Sequence, residues 1–79
     1  MTDQTRQLFT DLWNDAPNWS GTPCLDCNVM LSAEGRGNLS HLKMDGLIGT
    51  QKDGRDVFVY FTPAGEAFAA QCGLPRKSW

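Results

Sequence analysis

Residues 36–68 read RGNLSHLKMDGLIGTQKDGRDVFVYFTPAGEAF, and the order of signals within this stretch decides the fold. Leu39 and Leu42 mark the buried face of a helix, and Leu47 and Ile48 mark its exit. Gly46 follows Asp45 at the position where helices turn left-handed and stop. A strand then runs from Ile48 to Lys52 into Asp53-Gly54, a dipeptide suited to a two-residue hairpin turn because both central positions favour positive φ. The return strand, Arg55 to Phe61, alternates Val57, Val59 and Phe61 on the core side with Phe58 and Tyr60 on the other. Thr62-Pro63 is a cap followed by proline at the first helical position. Phe68, Ala69 and Cys72 pack that last helix, and Gly73 and Pro75 stop it.

Upstream, residues 3–15 place Leu8, Phe9, Leu12, Trp13 and Ala16 at helical spacing, with Asp3, Gln4, Gln7, Asp11 and Asn14 around the rest. Pro17 ends this first helix, because the residue before proline avoids the α region. Asn18 to Gly21 is a loop, with Trp19 tucked back onto the core. Thr22-Pro23 again reads as cap and first turn, predicting a short second helix to about Met30 with Leu25 and Val29 facing inward. Ser32 caps the third helix, whose first turns Gly35 and Gly37 weaken by up to about 1 kcal/mol each. The tail RKSW is short, with Trp79 a candidate for docking.

Seventy-nine residues make one domain, 1–79, near the size at which a single core just suffices. An apolar content of 41%, with three Trp and four Phe, supplies such a core and argues against disorder. No run of about 18 apolar residues is present, so no membrane span is expected. The N-terminus lacks an apolar signal region, and a cytoplasmic location is the expectation. Three cysteines, an odd number, argue for reduced thiols and against a disulfide framework.

The pattern Leu39-x-x-Leu42-x-x-x-Gly46-Leu47-Ile48, followed by Phe61-Thr62-Pro63-Ala64-Gly65-Glu66-Ala67, resembles the winged helix-turn-helix domains of bacterial regulators, the MarR-like and PadR-like families especially. That resemblance implies an α+β winged helix: a three-helix helix-turn-helix core, a β-hairpin wing and a closing C-terminal helix. It also implies a transcriptional regulator that reads duplex DNA with the third helix and the wing. With Leu39 and Leu42 buried, 100° steps put Arg36, Gly37, Ser40, His41 and Met44 on the outer side, with Asn38 and Lys43 flanking. Arg36, Asn38, Ser40 and His41 are the expected base readers, since Arg suits guanine, Asn suits adenine, and Ser and His make adaptable hydrogen bonds. Ser32 and the glycines near it would let the backbone approach phosphate at the positive end of the helix. Lys43, Lys52 and Arg55 would contact phosphates, the last two at the tip of the wing. A homodimer is a further expectation, although MarR-like regulators dimerise through flanking helices that a chain this short does not carry.

The net charge of −2 works against nucleic-acid binding, because Glu34, Asp45, Asp53 and Asp56 formally cancel Arg36, Lys43, Lys52 and Arg55. The alternative is therefore a winged-helix adaptor that binds a protein through Phe58 and Tyr60 as an aromatic anchor patch. Cys24-x-x-Cys27 has zinc-ligand spacing, and Cys72 with His41 would complete a Cys3His set, but structural sites usually present two close pairs. The favoured reading is that all three cysteines are small core residues and that neither metal nor cofactor is bound. WSGTPCLDC faintly echoes a thioredoxin-type motif, yet it follows a helix where that motif follows a strand. Oxidant sensing by Cys24 and Cys27 remains a further role for the pair. A lone His41 makes no triad, Gly35-Arg36-Gly37 is too short for a phosphate loop, and no enzyme activity is expected.

Overall fold

The computed structural model describes residues 1–77; Trp79, the candidate for docking, lies outside them. The chain is an α+β domain with three α-helices and one antiparallel hairpin among the described residues. Helix α1, Asp3–Asp15, starts at Thr2, whose hydroxyl accepts from the Thr5 amide, and it continues into a 3-10 turn, Ala16–Trp19, through Pro17. Pro17 has no N–H to continue the α1 ladder, which ends with the Ala16 amide donating to the Leu12 and Trp13 carbonyls, and the chain tightens into the 3-10 turn. Helix α2, Ala33–Met44, is capped by Ser32, which accepts from the Gly35 amide. Strands β1, Ile48–Asp53, and β2, Asp56–Phe61, pair with Ile48 opposite Phe61 and Asp53 opposite Asp56. Helix α3, Pro63–Gln71, is capped by Thr62. No helix among the described residues is long and apolar enough to cross a membrane.

The second helix expected over residues 22–30 does not form. Pro23–Leu25 instead runs extended along the free edge of β2: the Val59 amide donates to the Pro23 carbonyl and the Leu25 amide to the Val57 carbonyl, both at 2.9 Å. A nine-residue helix containing Cys, Asp, Asn and Val is marginal by itself. The exposed edge of a two-stranded hairpin offers the same backbone groups better partners. Asp26 then takes a left-handed φ of 59° and its carboxylate accepts from the Leu31 amide at 2.9 Å, turning the chain towards α2. Leu25 and Val29, assigned to one helix face, do pack against the core, but they arrive there from a bridge between extended residues. Consequently α2 is the single α-helix between α1 and the hairpin.

The hairpin turn also differs by one residue from its expected position. Gly54-Arg55 are the two loop residues, and only Gly54 has positive φ, at 62°. This is the pattern of a turn with glycine at the first central position, not the pattern with both residues left-handed.

The core lies between α1, α2, the inner face of the hairpin and α3, and includes Phe9, Leu12, Leu42 and Val59, all fully buried. Phe9 meets Phe68 edge-on at 4.9 Å and Phe61 at 5.5 Å, while Trp13 meets Phe61 at 4.9 Å. Such pairs add about 0.5–1.5 kcal/mol each beyond the area they bury. The end of α2 and the start of α3 are locked together at the backbone. The Leu47 carbonyl accepts from both the amide (3.1 Å) and the hydroxyl (3.0 Å) of Thr62. Gly65 lies so close that a Cβ there would overlap the same carbonyl oxygen. The segments Gly46-Leu47-Ile48 and Thr62-Pro63-Ala64-Gly65 are thus one junction. After α3, Gly73 turns left-handed, Trp13 Nε1–H donates to the Pro75 carbonyl at 2.9 Å, and Lys77 pairs with Glu66.

Candidate functional site

Helix α2 buries Leu39 and Leu42 and exposes Arg36, Gly37, Ser40, His41, Lys43 and Met44. This distribution follows from 100° per residue and from an amphipathic sequence with only two apolar positions facing inward. Of the residues expected to face a ligand, Ser40, His41 and Lys43 are exposed as anticipated. His41 Nε2 lies 3.9 Å from the Asp45 carboxylate one turn on, at the limit of an ion pair.

Two expected base readers are engaged elsewhere. Asn38 is half-buried, and its side-chain oxygen accepts from the hydroxyl of the fully buried Thr5 at 3.0 Å, so it joins α2 to α1 and does not point outward. Expected to read bases from its flanking position on the helical wheel, Asn38 is instead drawn inward by a buried polar partner on α1. Arg36 is exposed but ion-paired with Asp26 at 3.0 Å across the turn that leads into α2. An exposed pair of this kind is worth at most about 1 kcal/mol and opens readily to a better anion. Ser32 is committed to its capping bond.

At the hairpin tip, Lys52 and Arg55 are exposed, and neither enters an ion pair among the described residues. Phe58 and Tyr60 do not form one patch. Phe58 is half-buried with Trp19 over it, ring centroids 6.3 Å apart, because the segment after α1 folds across that face of β2. Tyr60 remains 47% exposed. It lies over its cross-strand neighbour Gly49, where a Cβ would overlap the ring.

Asp15 carries a role that its sequence context did not reveal. Its carboxylate is buried at the end of α1 and accepts from Asn18 and Asn28 on one oxygen and from Trp19 Nε1–H on the other, all at 2.9 Å. Burial alone pushes its pKa up, but the three hydrogen bonds outweigh that and hold it below the ordinary 3.8. With both oxygens accepting, it anchors the connector to the end of α1.

The three cysteines are not equivalent. Cys24 is buried beside β2, Cys27 is exposed, and Cys72 is half-buried in the cap of α3. The assignment of all three to the core therefore holds for Cys24 alone. Cys24 and Cys27 are in contact, Sγ to Sγ 2.6 Å. Contact with Cys27, burial, and the nearby carboxylates of Asp56 and Asp15 push the Cys24 thiol up to about 12. Without a cation beside it, Cys24 is a neutral thiol at physiological pH and a poor nucleophile, unlike the low-pKa thiols of redox sensors. Cys72 and His41 do not join this pair in the metal-competent grouping that the described residues make; Asp56 does. Nothing in the sequence brings Asp56, at the start of the return strand, beside residues 24–27.

Compared with protein-family models, curated proteins and solved structures, the chain has no significant match in any of the three.

Proposed function

We propose that this protein is a small DNA-binding regulator, a winged-helix variant that places α2 in the major groove and the β1–β2 hairpin along the flanking backbone. The observation that carries this reading is the outward face of α2. Apart from Met44 it is polar, it leads through one left-handed glycine into the hairpin, and the hairpin tip carries Lys52 and Arg55, neither ion-paired among the described residues, beside the exposed Asp53 and Asp56. Gly37 supports it. Glycine in a helix interior is costly, and among the described residues nothing lies within 4 Å of where its Cβ would stand. Packing gives no reason for glycine there, whereas close approach of a phosphate backbone does.

In this reading Ser40 and His41 reach base edges, and Lys43, Lys52 and Arg55 contact phosphates. Arg36 joins them when an anion or a guanine displaces Asp26. Asn38 is removed from the set of readers, since it is half-buried and its side-chain oxygen is engaged by the Thr5 hydroxyl on α1.

The test is fluorescence anisotropy of a labelled random duplex across a salt series. Dissociation constants of about 10⁻⁴ to 10⁻⁶ M that weaken steeply with salt are expected. No binding at low ionic strength sinks the proposal. An adaptor role is the second reading, favoured by Met44 at 85%, Met30 at 71% and Tyr60 at 47% exposure. It predicts an absence of DNA binding and a partner lost on Tyr60→Ala or Met44→Ala.

A further inference from the structure

We infer that Cys24, Cys27 and Asp56 form a binding site for a thiophilic divalent cation, zinc by chemistry, with one coordination position left open to solvent. The three donor atoms lie within 4.8 Å of one another. They come from two segments that the fold holds in register. Cys24 bridges Phe58 in antiparallel fashion, and Leu25 donates to Val57, so the turn after Cys24 falls level with Asp56 at the start of β2. The left-handed Asp26, φ 59°, folds Cys27 back onto Cys24. A Cys-x-x-Cys turn and a carboxylate are thereby presented together without any rearrangement of the backbone.

The donor set selects the ion. Two thiolates with one carboxylate suit zinc and exclude the hard cations magnesium and calcium, which take oxygen ligands. Tetrahedral coordination with zinc–sulfur bonds of about 2.3 Å and a zinc–oxygen bond of about 2.0–2.2 Å requires donors roughly 3.5–3.8 Å apart. The sulfurs, at 2.6 Å, need to separate by about 1 Å on that geometry, which rotation of the exposed Cys27 side chain accomplishes. Binding replaces two S–H bonds with two sulfur–metal bonds and releases both protons to solvent. The bound ion would fasten the connector that replaces the second helix to the base of the hairpin. The inference stands independently of the DNA-binding proposal.

Cobalt(II) is the probe, added to the full chain under reductant and without oxygen. The expected result is one equivalent bound, with a thiolate-to-cobalt charge-transfer band in the near ultraviolet and intense visible bands of tetrahedral coordination, all abolished by competing zinc. Cys27→Ser and Asp56→Asn alter exposed side chains, and circular dichroism verifies that they fold. Cys27→Ser should remove most of the charge-transfer intensity. Asp56→Asn should keep that band and weaken affinity by more than about tenfold, the loss typical of groups one shell further from a metal. Cys72→Ser should change nothing. No charge-transfer band in the reduced wild type overturns the inference, as does a band abolished by Cys72→Ser. Equal affinity in Asp56→Asn removes the carboxylate from the site and overturns the three-ligand assignment. A readily formed Cys24–Cys27 disulfide together with no cobalt binding after reduction would make the pair a redox couple instead.

Discussion

Gly65 sits against the Leu47 carbonyl with no room for a side chain, and the neighbour is backbone that two hydrogen bonds from Thr62 hold in place. Gly65→Ala should therefore destabilise the fold by about 1–3 kcal/mol or more, read as a lower urea midpoint with an unchanged m-value. Gly37→Ala is its opposite. No described neighbour is disturbed, so stability should rise by about 0.5–1 kcal/mol. If DNA lies against α2, affinity for duplex should fall in the same variant, and a variant that is both stabler and an equally good binder would remove Gly37 from the interface. Asp15 makes a prediction in pH. Its folded pKa is depressed, so its stabilisation is present in full above the ordinary value of 3.8. It is lost as pH falls from there through the folded value. Asp15→Ala should cost about 1–3 kcal/mol at neutral pH, because donors on Asn18, Asn28 and Trp19 lose their acceptor. In acid, the difference between thermal melts of wild type and variant should narrow.

Among the elements, α1, α2, the hairpin and α3 were legible because each carries its own local punctuation. Ser32 and Thr62 cap as short hydroxyl side chains do, whereas α1 was legible from its apolar spacing and not from its cap, Thr2. Gly46 and Gly73 are left-handed where helices stop. The connector was not legible, because Thr22-Pro23 satisfies the same rule as Thr62-Pro63 with a different outcome. Thr62-Pro63 precedes an alanine-rich run, whereas Thr22-Pro23 precedes Cys, Asp and Asn beside an unpaired strand edge. The Thr-Pro signal is the same at both places; the residues that follow it and the long-range partner separate the outcomes. Hydrogen exchange by NMR checks this: Leu25 and Val59 amides should be protected, and Cys27 and Asn28 amides should exchange fast. Uniform protection from Asp26 to Met30 would restore a helix and contradict the edge pairing.

For the molecule as a whole, electrostatics are local and not global. The net charge is −2; at the hairpin tip Lys52 and Arg55, neither ion-paired among the described residues, alternate with the exposed Asp53 and Asp56, while Asp15 and Asp26 are engaged in internal bonds. The double substitution Lys52→Ala, Arg55→Ala should weaken DNA binding at all sequences and reduce the slope of log K against log salt by about 2, about 1 per phosphate contact. An unchanged slope would separate the hairpin from the binding surface. Sequence alone determined the helices with caps, the hairpin, the buried aliphatic and aromatic face and the exposed side of α2, because these follow from periodicity and from residues within a few positions of one another. Tertiary structure decided the rest. It drew Asn38 inward to Thr5, covered Phe58 with Trp19, straightened the connector along β2 and brought Asp56 beside the Cys24–Cys27 turn. Each of those outcomes depends on which distant group satisfies a polar atom or covers an apolar one, and no local pattern encodes that choice.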